Sequence, residues 1–306
     1  MSKPNQLWRA TGLVAAAGAM AWLWHRTDVV QAAGALHAVG GAFLWLLVPY
    51  ALATALYAIP WGLLLSTQHR PGWGVVVASR FAAAAVNVVL PSGLFGEPMR
   101  LRAVAPASRR LAGEALVWDR ALYLVSSALF LLATMWGGGA RLGGRPFVAA
   151  GLASALGYVA VATGLVGASR TQRLRRWTER WFDRRELAMR PSLPAASGGL
   201  AIHFVARLAA AGELWLGAHL LGVTLGAEAW LFVASACVLS AAALPMVPGQ
   251  VGVQEAALAA AMGVVGAPPE IGLALGLLVR LRQLVFVALG FLLGASLSAP
   301  TSAPES

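Results

Sequence analysis

Apolar stretches long enough to cross a bilayer recur along almost the whole chain, and no other feature leaves as few choices of fold. A helix rises about 1.5 Å per residue, so crossing roughly 30 Å of hydrocarbon takes about 20 mostly apolar residues. Six stretches meet that requirement, at 7–24, 39–65, 111–136, 146–168, 197–222 and 270–294. Composition agrees: 59% of the residues are apolar and 11% charged, against about 25% charged in a soluble globular chain. The mean hydropathy is +0.71. The sequence therefore reads as an all-α polytopic membrane protein. That reading excludes a soluble enzyme, a disordered polypeptide and a conventional nucleic-acid binder, although the net charge is +11.

The basic residues are one lysine, Lys3, and 22 arginines, and the single cysteine, Cys237, lies in an apolar run with no partner for a disulfide. Lys3 and Arg9 ahead of the first apolar stretch imitate a secretory signal. The stretch lacks a polar cleavage region and leads into further membrane-compatible sequence, so it is read as an uncleaved first span.

Two further apolar stretches, 73–90 and 229–246, run straight into Pro/Gly-rich breaks. The first break runs from Leu90 through Pro91, Gly93 and Gly96 to Glu97 and Pro98. The second runs from Pro245 through Pro248, Gly249, Gln250 and Gly252 to Glu255. Such clusters end helices, and irregular backbone survives at membrane depth only where protein or a watery cavity satisfies its polar groups. Both breaks are therefore expected inside the fold, facing a cavity.

Charge decides which stretches cross. His69 and Arg70 precede the first broken stretch, and Arg100, Arg102, Arg109 and Arg110 follow it. By the positive-inside rule both flanks are cytoplasmic, which makes 73–98 a re-entrant hairpin. The Arg-rich segment Arg170–Arg190 is cytoplasmic by the same rule, and two spans between it and Arg110 return the chain to that side. The loop after the fifth span carries only Glu228, so the second hairpin dips from the outside. The expectation is six full spans and two re-entrant hairpins, with both termini cytoplasmic. Arg26, Arg141 and Arg145 then fall on the outer side, against the rule; eight full spans is the alternative.

The order of two spans, a broken hairpin, a glutamate and a further span occurs twice. Glu97 and then Trp118-Asp119-Arg120 appear in the first copy, Glu255 and then Val279-Arg280-Leu281-Arg282 in the second. Three crossings per copy is odd, so the second copy inserts upside down, as in transporters whose sites lie between discontinuous helices. The expected division is a first membrane repeat at 1–145 with its hairpin at 73–110, a second at 146–294 with its hairpin at 229–266, and a short disordered tail at 295–306.

Ten charged groups lie within apolar stretches: Arg80, Glu97, Glu114, Asp119, Arg120, Arg207, Glu213, Glu255, Arg280 and Arg282. Each costs about 2.5–3.5 kcal/mol at a span centre, so together they would overwhelm a stability of about 5–15 kcal/mol if they faced lipid. They face one another, water or a ligand. Structural ion pairs and snorkelling arginines account for about half of such cases. The rest cluster near the breaks, where a helix starting after Pro91 or Pro248 directs free N–H groups and a positive dipole end at the cavity. A phosphate suits that environment. Arg100, Arg120, Arg280 and Arg282, with Arg80 and Asn87, are the candidate substrate-binding residues, because guanidinium grips phosphate in a bidentate fork and stays charged. Glu97 and Glu255 are candidates for gating or coupling, by holding those arginines or taking up a proton. Pro91, Gly96, Pro248, Gly249 and Gly252 are the gating positions of the backbone.

The pattern Asn87-x3-Pro91-x4-Gly96-Glu97-x2-Arg100, followed by Pro248-Gly249-x2-Gly252-x2-Glu255 and the late Arg280, resembles the lysylphosphatidylglycerol synthase transmembrane-region family of flippase-like proteins. The resemblance runs from about residue 7 to 294 in the same motif order. Where family members commonly show a second glycine after Pro-Gly, this chain has Gln250, which implies a less permissive backbone there. The resemblance implies movement of an anionic or modified lipid, a phospholipid or a polyprenyl-phosphate carrier, between leaflets. Larger relatives append a cytoplasmic aminoacyl-transfer domain; twelve residues follow Gly294 here, so that synthase activity is not expected.

In Arg170–Arg190, Leu174, Trp177 and Trp181 recur at helical spacing among arginines, as in a helix lying on an anionic leaflet. Its plainer role is a topology anchor. The five histidines form no metal-ligand pattern, and no nucleophile-elbow, zinc-protease or P-loop signature is present. No metal or cofactor is therefore expected.

The sequence thus points to a flippase-like lipid transporter of a bacterial inner membrane, working by alternating access on a phosphate-bearing lipid. A cell-envelope biosynthetic enzyme is a possible partner, and nucleic acid is not one. An intramembrane lipid-modifying enzyme and a lipid-binding scaffold for a partner enzyme are the alternatives.

Overall fold

A computed structural model describes residues 34, 37–65, 70–90, 95–169, 191–244 and 247–297. The first span at 7–24, Arg26, Pro91 and the segment Arg170–Arg190 lie outside the described residues, as does most of the expected tail. Among the described residues the chain is helical with no strand, which makes it an all-α polytopic membrane protein.

Ten α-helices follow in order among the described residues. Helix α1 is Phe43–Leu56, α2 Ile59–Leu64, α3 Trp73–Val89, α4 Glu97–Arg102 and α5 Arg109–Thr134. Helix α6 is Ala140–Ser169, α7 Leu193–Leu220, α8 Ala227–Ala243, α9 Val253–Val264 and α10 Pro269–Ser296. The starts of the long ones are written locally. The Ser192 hydroxyl accepts from the Ala195 amide at 3.3 Å ahead of α7, and Pro194 and Pro269 occupy first-turn positions whose missing N–H costs nothing.

Four helical runs are long and apolar enough to cross a membrane: His37–Leu64, Arg109–Ala168, Leu193–Leu220 and Pro269–Ser296. The second run is 60 residues and, if straight, would reach about 90 Å, three bilayer cores. It does not run straight. Gly137 leaves helical geometry and Gly138 and Gly144 take φ of +106° and +61°, so α5 and α6 fold against each other as two crossings. Of the six expected spans, five are thus present and the sixth is the undescribed 7–24. The expected span 39–65 carries a break at Tyr57-Ala58 between α1 and α2.

Both broken segments turn back. The six-residue α4 lies against α3, and α9 returns along α8. Their tips meet: the end of α3 touches the turn Pro248–Gln250 at the start of the second return arm. Helix α10 packs against α3 on one side and α9 on another, so it contacts both hairpins. At the far end, Arg141 donates to Glu228 in an exposed ion pair. The pair ties the start of α6 to the first turn of α8.

The largest buried cluster joins Phe130, Phe147, Leu214, Phe232, Leu258 and Leu275 from six helices. Leu44, Trp45, Val48 and Leu52 on α1 and Leu152, Leu156 and Val161 on α6 are exposed. Large apolar groups in such rows are what a lipid-facing surface requires, and in water they would form aggregation patches.

Candidate functional site

The first break is closed by its own motif residues. The Asn87 side-chain carbonyl accepts from the Gly96 amide at 2.7 Å, stapling the end of α3 to the start of α4. Gly96 sits so close to the carbonyl of Ala83 that no Cβ fits between them. Pro91 lies outside the described residues. The staple sets Glu97 on the first turn of α4, facing α3 and α5.

Glu97 is the hub of a buried network. Its carboxylate takes a close ion pair from Arg120, one from Arg100 at 3.1 Å and one from Arg80 at 3.8 Å. Arg100, fully buried, also donates to Asp119 at 2.7 Å and lies 4.7 Å from the Trp61 ring. Asp119 in turn meets His203 Nε2 at 3.1 Å. Two further aromatic rings wall these charges: Arg80 faces Tyr57, and Arg120 and Arg207 both face Tyr123. Arg207 donates to the Ser127 hydroxyl on the next turn of α5.

The second break is held in the corresponding manner by Glu255. One oxygen pairs with Arg280 at 2.7 Å and the other accepts from the Gly252 amide at 2.9 Å, capping α9. Arg280 also donates to the Gly249 carbonyl and, at 2.7 Å, to Gln283. Gly249 and Gly252 take φ of +54° and +80°, and between them Gln250 has φ +55°, alone among described non-glycine residues. The turn beginning at Pro248 thus asks glutamine for a left-handed conformation that glycine adopts freely.

Between the two tips lies a cavity of about 760 Å³. Asn87 and Leu90 reach it from the first hairpin, Gly249 and Gln250 from the second, Arg120 and Tyr123 from α5. Helix α6 closes the other wall with Ser154, Tyr158, Val161 and Leu165, and Gln283 comes from α10. The volume lies within the range of small-molecule sites, about 300–1,000 Å³. The lining combines the cation Arg120 and polar groups such as Asn87 and Gln283 with apolar side chains such as Leu90, Val161 and Leu165.

Of the residues expected from the sequence, Asn87, Arg120 and Gly249 line this cavity, and Arg80, Gly96, Glu97 and Arg100 stand directly behind it. Arg280 is buried and joins the wall through Gln283 and Gly249. Arg282 lies elsewhere: it pairs with Glu213 at 2.7 Å under the Tyr50 ring, outside the cavity lining. Glu114 pairs with Arg110 along α5. The α9 N-terminus, expected to present free N–H groups, has one donor taken by Glu255. Tyr57, Trp61, Tyr123, Tyr158, His203 and Gln283 were not singled out as site residues from the sequence. Only a polar or aromatic group at the depth of a charged one would have marked them.

Counting charge is decisive. Arg80, Arg120 and Arg207 gather around Tyr57 and Tyr123 and Arg100 adjoins them through Glu97 and Asp119, the carboxylates among them. Four guanidiniums thus face two carboxylates, an excess of two positive charges among the described residues with His203 neutral. At about 2.5–3.5 kcal/mol for each uncompensated charge at membrane depth, the excess costs roughly 5–7 kcal/mol, comparable to a whole domain's stability. No group of metal-ligating side chains occurs among the described residues.

The family model described as "Lysylphosphatidylglycerol synthase TM region" matches residues 9–290. No curated protein matches the chain.

Proposed function

The chain belongs to the lysylphosphatidylglycerol synthase TM region family, and from that premise we propose that it moves a phosphate-bearing lipid between leaflets of a bacterial inner membrane. The observation that carries this is the cavity between the hairpin tips, cationic at Arg120 and apolar along Val161 and Leu165. A headgroup occupies the part of it beside Arg120, Tyr123 and Asn87. The acyl or prenyl tail lies along α6, which exposes Leu156 on its surface.

Exchange of the ion pairs provides the step. In the unloaded site Glu97 holds Arg120; an arriving phosphate competes for the same guanidinium and loosens the α4–α5 contact. The second half repeats the arrangement, with Glu255 on the return arm of its hairpin holding Arg280 of the next span. The two pairs are separated by 23 and 25 residues, which supports two inverted repeats meeting at the cavity. Rocking of one repeat, 1–145, against the other, 146–294, exposes the cavity to each face in turn. The cytoplasmic placement of both termini belongs to the same proposal.

The test is flipping of a fluorescent anionic lipid in proteoliposomes, read by chemical quenching of the outer leaflet. Arg120→Gln is expected to slow flipping by at least about tenfold, the loss of one charge-assisted contact to phosphate. Flipping that survives loss of both Arg120 and Arg280 overturns the site. Lipid recovered in chemically altered form, with turnover abolished by Glu255→Gln, favours an enzyme instead. A protein that moves nothing and copurifies with a biosynthetic enzyme is the scaffold.

A further inference from the structure

We infer that the cavity is matched to a lipid phosphomonoester, a headgroup able to carry two negative charges, and that Arg207 supplies the second positive charge it meets. This rests on the reading that the cavity takes a lipid phosphate.

The excess of two positive charges has two addresses. One is the group around Glu97 and Asp119, where Arg80, Arg100 and Arg120 share two carboxylates. The other is Arg207. It is 7% exposed, has no carboxylate partner among the described residues, and its Nε finds no acceptor. What it does touch is neutral: it donates to the Ser127 hydroxyl and lies 4.9 Å from the Tyr123 ring. Tyr123 lines the cavity, so Arg207 stands one side chain behind that wall, with Tyr57 beside it. A hydroxyl and a ring face orient a guanidinium without cancelling it.

A bound phosphodiester brings one negative charge and leaves one of these two unanswered. A phosphomonoester loses its second proton near pH 6, and surrounding guanidiniums favour the dianion. It answers both. The groups facing Arg207 and the ligand are Tyr57, Tyr123, Tyr158, Arg80 and Arg120, with Asp119 and His203 behind; His203 is the one whose protonation would raise the excess further. Acid therefore removes ligand charge from a monoester alone, and the preference for it falls.

The test uses the full chain in nanodiscs of zwitterionic phosphatidylcholine, titrated calorimetrically with farnesyl phosphate, its methyl diester and inorganic phosphate. Near pH 7.5 farnesyl phosphate is expected to bind at least about tenfold tighter than the diester, and near pH 5 less than about threefold tighter. Inorganic phosphate is expected to bind at least about tenfold more weakly than farnesyl phosphate, because the prenyl chain adds apolar burial; equal binding identifies a free-phosphate site and overturns the lipid assignment. Arg207→Gln is expected to shrink the monoester preference below about threefold while diester affinity stays within about threefold, and Arg207→Lys to retain the preference. If Arg207→Gln does not fold, Ser127→Asp sets a carboxylate beside Arg207 and is expected to abolish the preference in the same way. Equal affinity for monoester and diester at both pH values overturns this inference and leaves lipid transport standing. Absence of binding by all three probes, in a protein that also flips no lipid, overturns both.

Discussion

At the scale of single residues, ionic groups differ in how much surrounding structure depends on them. Asp119 is buried between Arg100 and His203, and removing it strands a buried guanidinium that Glu97 alone must then share among three arginines. Asp119→Ala is expected to destabilise the protein by about 3–5 kcal/mol in detergent, read as a lower thermal midpoint. Arg141→Gln, which removes a pair exposed to solvent, is expected to cost less than about 1 kcal/mol. Gln250 is the opposite case, because its left-handed backbone costs about 1–2 kcal/mol that glycine avoids, less the greater freedom glycine loses on folding. Gln250→Gly is expected to raise stability by about 0.5–1 kcal/mol; a fall in the thermal midpoint would show the side chain holding the turn. The departure from the family's double glycine thus marked a strained position correctly. The partners of the charges were not legible. Nothing within α7 announces that Arg207 meets Tyr123 rather than a carboxylate, because that depends on how α5 and α7 are rotated against each other.

Elements were the most legible level. Proline and glycine cannot continue a helix without losing hydrogen bonds, so both breaks were readable from residue type. The glycines from Gly137 to Gly144 mark the turn between α5 and α6 equally plainly. The break between α1 and α2 was open to the same reading but was not anticipated: Pro60, in the first turn of α2, has no N–H to offer the Leu56 carbonyl, and α1 ends at Leu56. The proposal that the hairpins enter from opposite faces gives a direct expectation. In a Cys237→Ala background, single cysteines at Gly72 and Pro106 are expected to react with an impermeant thiol reagent only from the cytoplasmic side, and those at Gly226 and Glu270 only from the other. Labelling of Gly72 and Pro106 from opposite sides would make the first hairpin a full crossing.

For the whole molecule, alternating access requires the hairpin tips to part. Val88 and Gly249 touch where α3 meets the turn of the second hairpin. A cysteine pair at these positions, again without Cys237, is expected to abolish lipid flipping when oxidised and to restore it on reduction. Flipping that continues through the cross-linked tips would place the moving part elsewhere. Helix α10 decides how such a motion can be distributed. Gly272 and Gly276 bring its backbone against α9, and Gly290 against α3, so close that added methyl groups would collide with the backbone or with Glu255. One bare-sided rod therefore serves as a shared axle for both hairpins. Neither can swing without turning or sliding along it, and whatever loads one face is felt mechanically at the other.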